Sequence, residues 1–182
     1  MNRFVFADPS QCIGCRTCEV ACVLSHQDDN RISAFDPKRF YPRLNLIKNG
    51  QVTTPIMCMQ CEDAPCAQVC PNEAIYSENG QVHVMQERCI GCKTCAIACP
   101  YGAMNVVAFP VENKLTSTLF TMNKIKAQAL KCDLCGHRQQ GPACVEVCPT
   151  NALRIIEPED LNMLNQQKRQ KAAVAALAGV SL

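Results

Sequence analysis

Cys89-Ile90-Gly91-Cys92-Lys93-Thr94-Cys95-Ala96-Ile97-Ala98-Cys99-Pro100 is the stretch that decides how this chain folds. Its four cysteines are separated by two, two and three residues, and a proline follows the last. Reading outward from it, the arrangement recurs. Cys12-Ile13-Gly14-Cys15-Arg16-Thr17-Cys18-Glu19-Val20-Ala21-Cys22 keeps the spacing, with Val23 where the proline would stand. Two looser runs are Cys58, Cys61, Cys66 and Cys70-Pro71, and Cys132, Cys135, Cys144 and Cys148-Pro149. Together the four runs use all 16 cysteines of the 182 residues.

The third run matches the bacterial ferredoxin pattern C-x2-C-x2-C-x3-C-P at every position. Two residues between ligands let a tight loop wrap one side of a [4Fe–4S] cubane and place three thiolates on three irons. The three-residue gap spans about one helical turn and turns the fourth cysteine towards a neighbouring cluster. Gly14 and Gly91 lie in these loops, where a missing side chain permits close approach and positive φ. The proline ends the run with a fixed φ. Four zinc sites would also consume sixteen thiolates, but zinc ribbons pair two separated C-x2-C knuckles, which is a different pattern.

A disulfide scaffold would suit a short secreted chain. Met1 to Asp8, however, has an arginine but no apolar segment of signal-peptide length and no twin-arginine pair. The longest apolar stretch, Ala172 to Val180, is far short of the roughly 20 residues that span a bilayer. A cytoplasmic location is the expectation, where dense cysteines mean metal. A net charge of +2, with both signs interspersed, leaves no footprint for nucleic acid. Aromatic residues make up 5% and tryptophan is absent, so the chain is expected to fold around its metal.

The repeat extends past the cysteines. Cys70-Pro-Asn-Glu-Ala-Ile75, Cys99-Pro-Tyr-Gly-Ala-Met104 and Cys148-Pro-Thr-Asn-Ala-Leu153 share C-P-x-x-A and a following apolar residue. Strand-like stretches then come at 82–84, 106–108 and 154–156, while the first run leads into Leu24-Ser25-His26. Phe4-Val5-Phe6 and residues 43–47 also read as strands, with Asn49-Gly50 as a turn signal. Only eighteen residues separate Cys70 from Cys89, so runs two and three are expected to pair and runs one and four to close around them. Cys58, Cys61 and Cys66 then share a cluster with Cys99, and Cys89, Cys92 and Cys95 with Cys70. Likewise Cys12, Cys15 and Cys18 go with Cys148, and Cys132, Cys135 and Cys144 with Cys22. Pairing run one with two and three with four stays open, because loop-closure cost alone does not exclude it.

The expected architecture is α+β: two ferredoxin-like 2[4Fe–4S] modules in a pseudo-twofold repeat, with small β-hairpins and short helices. One module comprises residues 1–50 and 125–157, the other residues 51–124, and a helical tail follows over 158–182. In that tail, Pro158-Glu159-Asp160 starts a helix expected over 159–178, about 30 Å long, with Gly179 ending it. Its apolar ends and polar middle suit docking to a partner or self-assembly.

Several segments resemble a known family. Met1-Asn2-Arg3-Phe4, residues 12–19, Gln60-Cys61-Glu-Asp-Ala-Pro-Cys66, Lys131-Cys132-Asp-Leu-Cys135 and Gly141-Pro142-Ala143-Cys144 look like the four-cluster subunits of the dimethyl-sulfoxide-reductase iron–sulfur family. Within it they resemble the small members linked to formate dehydrogenase, in formate hydrogenlyase and hydrogen-dependent carbon dioxide reductase. The likeness covers roughly residues 1–156. It implies four [4Fe–4S] clusters, two ferredoxin-like modules with the pairing above, and no catalytic residues. It also implies electron relay between a molybdenum or tungsten formate dehydrogenase and a hydrogenase or other redox partner. Alternatives are a free polyferredoxin carrier, a subunit of another molybdopterin oxidoreductase, or a formate dehydrogenase maturation factor.

Outside the cysteines little reads as chemistry. Arg16 and Lys93 hold equivalent places in runs one and three, where a cation would raise a cluster's potential unless it is a solvated surface charge. His26, His83 and His137 are scattered: His83 reads as structural, and His137, beside Arg138, as a residue that tunes a cluster or faces a partner.

Overall fold

The computed structural model describes residues 2–27, 37–111 and 124–178. Among these residues eight strands form four separate two-stranded antiparallel sheets, joined by short helices. Strands β1 (Phe4–Ala7) and β8 (Leu153–Ile156) close the chain ends, in register Phe4↔Ile156 to Ala7↔Leu153. Strands β2 (Leu44–Asn49) and β3 (Val52–Met57) form a hairpin, as do β4 (Ile75–Glu78) with β5 (Gln81–Val84) and β6 (Asn105–Val111) with β7 (Lys124–Leu130).

The helices are α1 (Thr17–Ser25), α2 (Pro65–Gln68), α3 (Thr94–Ala98), α4 (Ala143–Glu146) and α5 (Pro158–Ala178), with a 3-10 turn at Pro37–Arg39. Each of the first four carries cysteines, at the turn of helix that the three-residue gap suggests.

Two of these sheets are built alike. Val5 and Val82 are among the most buried side chains, and Leu153 and Ile75 face inward at the first position after each C-P-x-x-A. Cross-strand partners Phe6 and Arg154 stack ring under guanidinium, where Tyr76 and His83 stack ring on ring. The joint differs. Asn79 and Gly80 both take positive φ and close β4–β5 in two residues, a hairpin turn whose twist matches the strands. The β1–β8 pair instead brings together segments from opposite ends of the sequence.

Apolar packing forms two clusters. A terminal core holds Val5, Cys18, Cys22, Leu44, Met57, Cys132, Leu134, Cys144 and Leu153; a central core holds Ala64, Ile75, Val82, Cys95, Met104 and Ala129. Each of the positions 50/51 and 124/125, where a module boundary is expected, falls within a hairpin. Val52–Met57 is the return strand of β2 and packs into the terminal core, while Ala129 of β7 packs into the central one. Strands that satisfy each other's backbone groups stay on one side.

The strand read at 82–84 is present as β5, the return strand of the β4 hairpin, and after the first run Leu24 and Ser25 complete α1. The first turn of α5 is half-buried, and from Asn165 to Ala176 its side chains are exposed. Gly179 lies outside the described residues. No helix of the described residues is long and apolar enough to cross a membrane.

Candidate metal centres

Each C-P-x-x-A segment is a device for bringing a backbone N–H to sulfur. The residue before the alanine is left-handed in all three: Glu73, Gly102 and Asn151 have φ of 49°, 61° and 53°. Its N–H donates back to the cysteine carbonyl at 3.2 Å, and the chain turns. The next N–H then faces the thiol: Ala74 N donates to Cys70 Sγ at 3.3 Å and Ala103 N to Cys99 Sγ at 3.4 Å. Ala74, Ala103 and Ala152 are all buried in these turns. Cys22 lacks the motif because α1 continues through Val23. Its sulfur accepts instead from Arg43 N at 3.3 Å, across from a different segment.

The CxxC loops need their glycines. Gly14 and Gly91 have φ of 71° and 74°, and a Cβ on them would lie 2.8 Å from Thr53 Cγ2 and 2.4 Å from Ala127 Cβ. The β2–β3 and β6–β7 hairpins thus press directly on the loops of runs one and three.

The cysteines converge in fours. Cys12, Cys15, Cys18 and Cys148 line one cavity of about 340 Å³, hereafter site A. Cys58, Cys61, Cys66 and Cys99 line another of about 360 Å³, site C. Cys70, Cys89, Cys92 and Cys95 line a third of about 350 Å³, site D. Cys22, Cys132, Cys135 and Cys144 lie close enough for the charges of Cys132 and Cys135 to act on Cys22, and those of all three on Cys144; this is site B.

Neighbouring sites share elements. Helix α1 carries Cys18 and Cys22 about 6 Å apart along its axis, and Cys144 and Cys148 lie in and just after α4. Cys58 of site C acts on the Cys132 thiol of site B. Cys66 and Cys70 flank the end of α2, and Cys95 and Cys99 that of α3. The order is A, B, C, D.

These donors fit a multi-iron guest. Burial pushes Cys22 and Cys132 up to about 12 and Cys18 and Cys66 up to about 11, and raises Cys144 as well. Crowded thiols of this kind stay protonated until a metal takes up their charge. Three clefts, each lined by four sulfurs, suit one kind of guest. A [4Fe–4S] cluster bound by four thiolates exchanges single electrons and offers no open iron.

The surroundings differ from site to site. Thr17 Oγ1 donates to Cys15 Sγ at 3.3 Å, and Thr94 Oγ1 lies 3.2 Å from Cys92 Sγ, which holds the Cys92 thiol below its ordinary value. Sites A and D reach the surface through exposed Cys15 and Cys92, flanked by exposed Ile13 and Ile90.

Arg16 and Lys93 both sit in left-handed positions before α1 and α3, and both are exposed. Arg16 pairs at 2.9 Å with Glu19, whose other oxygen accepts from Leu46 N at 2.7 Å. A compensated charge at the surface does little to a cluster.

The histidines are less scattered than the sequence suggests. His26 Nε2 and Asp133 Oδ1 lie 3.0 Å apart, Arg43 Nη1 donates to Asp133 Oδ2 at 2.6 Å, and the His137 ring packs edge-on against His26 at 4.8 Å. Burial would raise Asp133, but the hydrogen bond with His26 and the Arg43 charge hold it well below the carboxylate range. His137 Nε2 lies 2.7 Å from the Ser25 carbonyl, so the group ties the end of α1 to the run-four loop. His83 stacks on Tyr76 within its hairpin, a structural place.

Lys131 and Gln60 stand in the family motifs, but neither their burial nor a role for them was read from the sequence. Nothing in their local pattern distinguishes a buried lysine from a surface one.

Comparison with known proteins gives the family. Residues 51–157 match the model of the 4Fe-4S dicluster domain family. The chain is 55% identical to the electron transport protein HydN of Escherichia coli over 174 residues, covering 96% of this chain and 99% of that one. It is 39% identical to formate hydrogenlyase subunit 2 of Escherichia coli, covering 93% and 89%. Among solved structures, the active site complex BamBC of benzoyl coenzyme A reductase is similar over 99% of this chain and 97% of that one, at 20% identity and a TM-score of 0.40.

Proposed function

Because the chain belongs to the 4Fe-4S dicluster domain family, we propose that it is an electron-transport protein holding four [4Fe–4S] clusters, one at each of sites A to D. The observation that carries this reading is the convergence of all sixteen cysteines in fours. Cys12, Cys15, Cys18 and Cys148 hold the first cluster, and Cys22, Cys132, Cys135 and Cys144 the second. Cys58, Cys61, Cys66 and Cys99 hold the third, and Cys70, Cys89, Cys92 and Cys95 the fourth. Sites A and B form one ferredoxin-like module with the terminal core, and C and D form the other with the central core. A pseudo-twofold repeat relates them, supported by the matching registers of β1–β8 and β4–β5.

Electrons enter and leave one at a time at the exposed ends A and D, passing through B and C. No side chain of this protein acts on a substrate. The likeness to the electron transport protein HydN and to formate hydrogenlyase subunit 2 supports a place among redox partners, and our reading sets it in the cytoplasm between a molybdenum or tungsten formate dehydrogenase and a hydrogenase or similar redox partner. Anaerobic purification with iron and sulfide counting tests the cluster content: about sixteen irons per chain are expected, and about eight would reduce the reading to two clusters. Stable co-purification with a molybdopterin subunit is the expected sign of the partner, and isolation as a lone carrier would overturn it.

A further inference from the structure

Lys131 is 3% exposed, and among the described residues it belongs to no ion pair. An ammonium buried without a counter-charge is costly, and proteins retain one where something compensates it. Its Nζ donates to the Cys132 carbonyl at 2.9 Å and to Gln60 Oε1 at 3.3 Å. An ammonium has three protons, and among the described residues the third has no acceptor. Lys131 also lines the site C cavity together with Cys58, Cys61, Cys66 and Cys99. Its charge acts on Cys61 and Cys66 there, and on Cys132 of site B.

The fold does not require a lysine at this place. Met57 precedes Cys58 as Lys131 precedes Cys132, and it is equally buried at 3%. What differs is the mount. Gln60 is 1% exposed and left-handed at φ 50°. Its Nε2 donates to the Cys132 carbonyl at 2.7 Å, and its Oε1 accepts from Val82 N at 2.9 Å. Asn2 Nδ2 donates to the Gln60 carbonyl at 2.9 Å. Val82 belongs to the central core and Cys132 to the terminal one, so the lysine is clamped where the two cores meet.

Of the other cations near the sites, Arg16 is answered by Glu19, Arg43 by Asp133 and Arg138 by Glu146, while Lys93 and Arg88, which lines site D, are exposed to water. Resting on the four-cluster reading above, we propose that Lys131 is the fixed counter-charge of the cluster at site C and makes it the most easily reduced of the four. Reduction adds one electron from the donor and no proton, so the cluster gains one negative charge beside a buried positive one. Net charge and hydrogen bonding are the protein's levers on such potentials. Site C then holds the electron between its arrival and its transfer to the next site.

The test is a redox titration of the reconstituted full chain, followed by electron paramagnetic resonance, on wild type, Lys131→Met and Lys131→Arg. Lys131→Met installs the residue found at 57. One of four reduction steps is expected to become harder by about tenfold in its equilibrium constant, about 59 mV for one electron, while Lys131→Arg stays near wild type. Four unmoved steps at full iron content would overturn the proposal. Should Lys131→Met fail to load its clusters, wild type labelled with ¹⁵N at lysine Nζ decides the matter. Hyperfine coupling from that nitrogen to one reduced cluster is expected, and its absence in every cluster would overturn the assignment. A wild-type iron count far below sixteen would instead sink the four-cluster reading itself, before any variant is compared.

Discussion

The two cores use the same parts and are closed differently. In the central core the strands flanking the cysteine runs are neighbours in sequence, and β4 turns into β5 through Asn79-Gly80. In the terminal core the equivalent strands are β1 and β8, from opposite ends of the chain. Bringing distant segments together costs more chain entropy than closing a two-residue turn. The terminal core carries what offsets that cost. Asp133 gathers His26 and Arg43, so the end of α1, the approach to β2 and the run-four loop are tied at one carboxylate. Its thiols at site B are also the more buried, with Cys22, Cys132, Cys135 and Cys144 all inside, whereas those of site C are only partly covered. The contrast teaches that one ligand pattern can be closed by local turns or by long-range clamps.

The largest expected effect comes from removing a ligand on each side. Cys144→Ser should lower the iron count to about twelve and loosen the terminal core, because site B is buried and its emptying leaves unpaired thiols inside. Cys66→Ser should lower iron equally but leave the terminal core protected. Hydrogen exchange of β1 and β8 measures the difference, and equal protection in both variants would break the comparison.

Next come the glycines. Alanine at Gly91 meets Ala127 Cβ at 2.4 Å, whereas at Gly14 it meets the end of the Thr53 side chain at 2.8 Å. Both also pay for left-handed backbone, so Gly91→Ala should cost about 2–4 kcal/mol and Gly14→Ala about 1–2. Denaturant unfolding of the holo-protein reads both.

Asp133→Asn should destabilise the terminal core by about 1–3 kcal/mol, since it removes the charge from the carboxylate's hydrogen bonds with His26, Arg43 and Cys135 N. The pH dependence follows from its lowered folded value. A carboxyl depressed on folding stabilises above its unfolded value of about 3.9, and that contribution is lost as pH falls towards the folded value. Wild type should therefore lose stability on acidification more steeply than Asp133→Asn, which thermal melts over that range would show.

The smallest effect is at site D. Thr94→Val removes the hydroxyl beside Cys92 Sγ and should make that one cluster slightly harder to reduce, with sites A to C unchanged in the same titration.

Much of the candidate site was legible because covalent spacing carries it. A C-x2-C loop and a C-P-x-x-A turn are built by residues within one turn of each other, and the left-handed places of Gly14 and Gly91 follow from local pattern. The hairpin at Asn49-Gly50 and the strand at Phe4–Phe6 were likewise local matters. How the returning strands β3 and β7 divide between the two cores was less legible, because local pattern does not say on which side a strand packs.

By itself, then, the sequence determined the number and type of sulfur donors and the turns that aim them, since both depend on near neighbours. Only the tertiary structure decided which charges matter. Arg16 looked like a tuning cation and is answered by Glu19 at the surface, while Lys131 stood only as one residue of a family motif and is buried beside Cys58, Cys61, Cys66 and Cys99. Burial and counter-charge are set by segments far away in the chain, such as Gln60, 71 residues from the lysine it holds. No local pattern contains that distance.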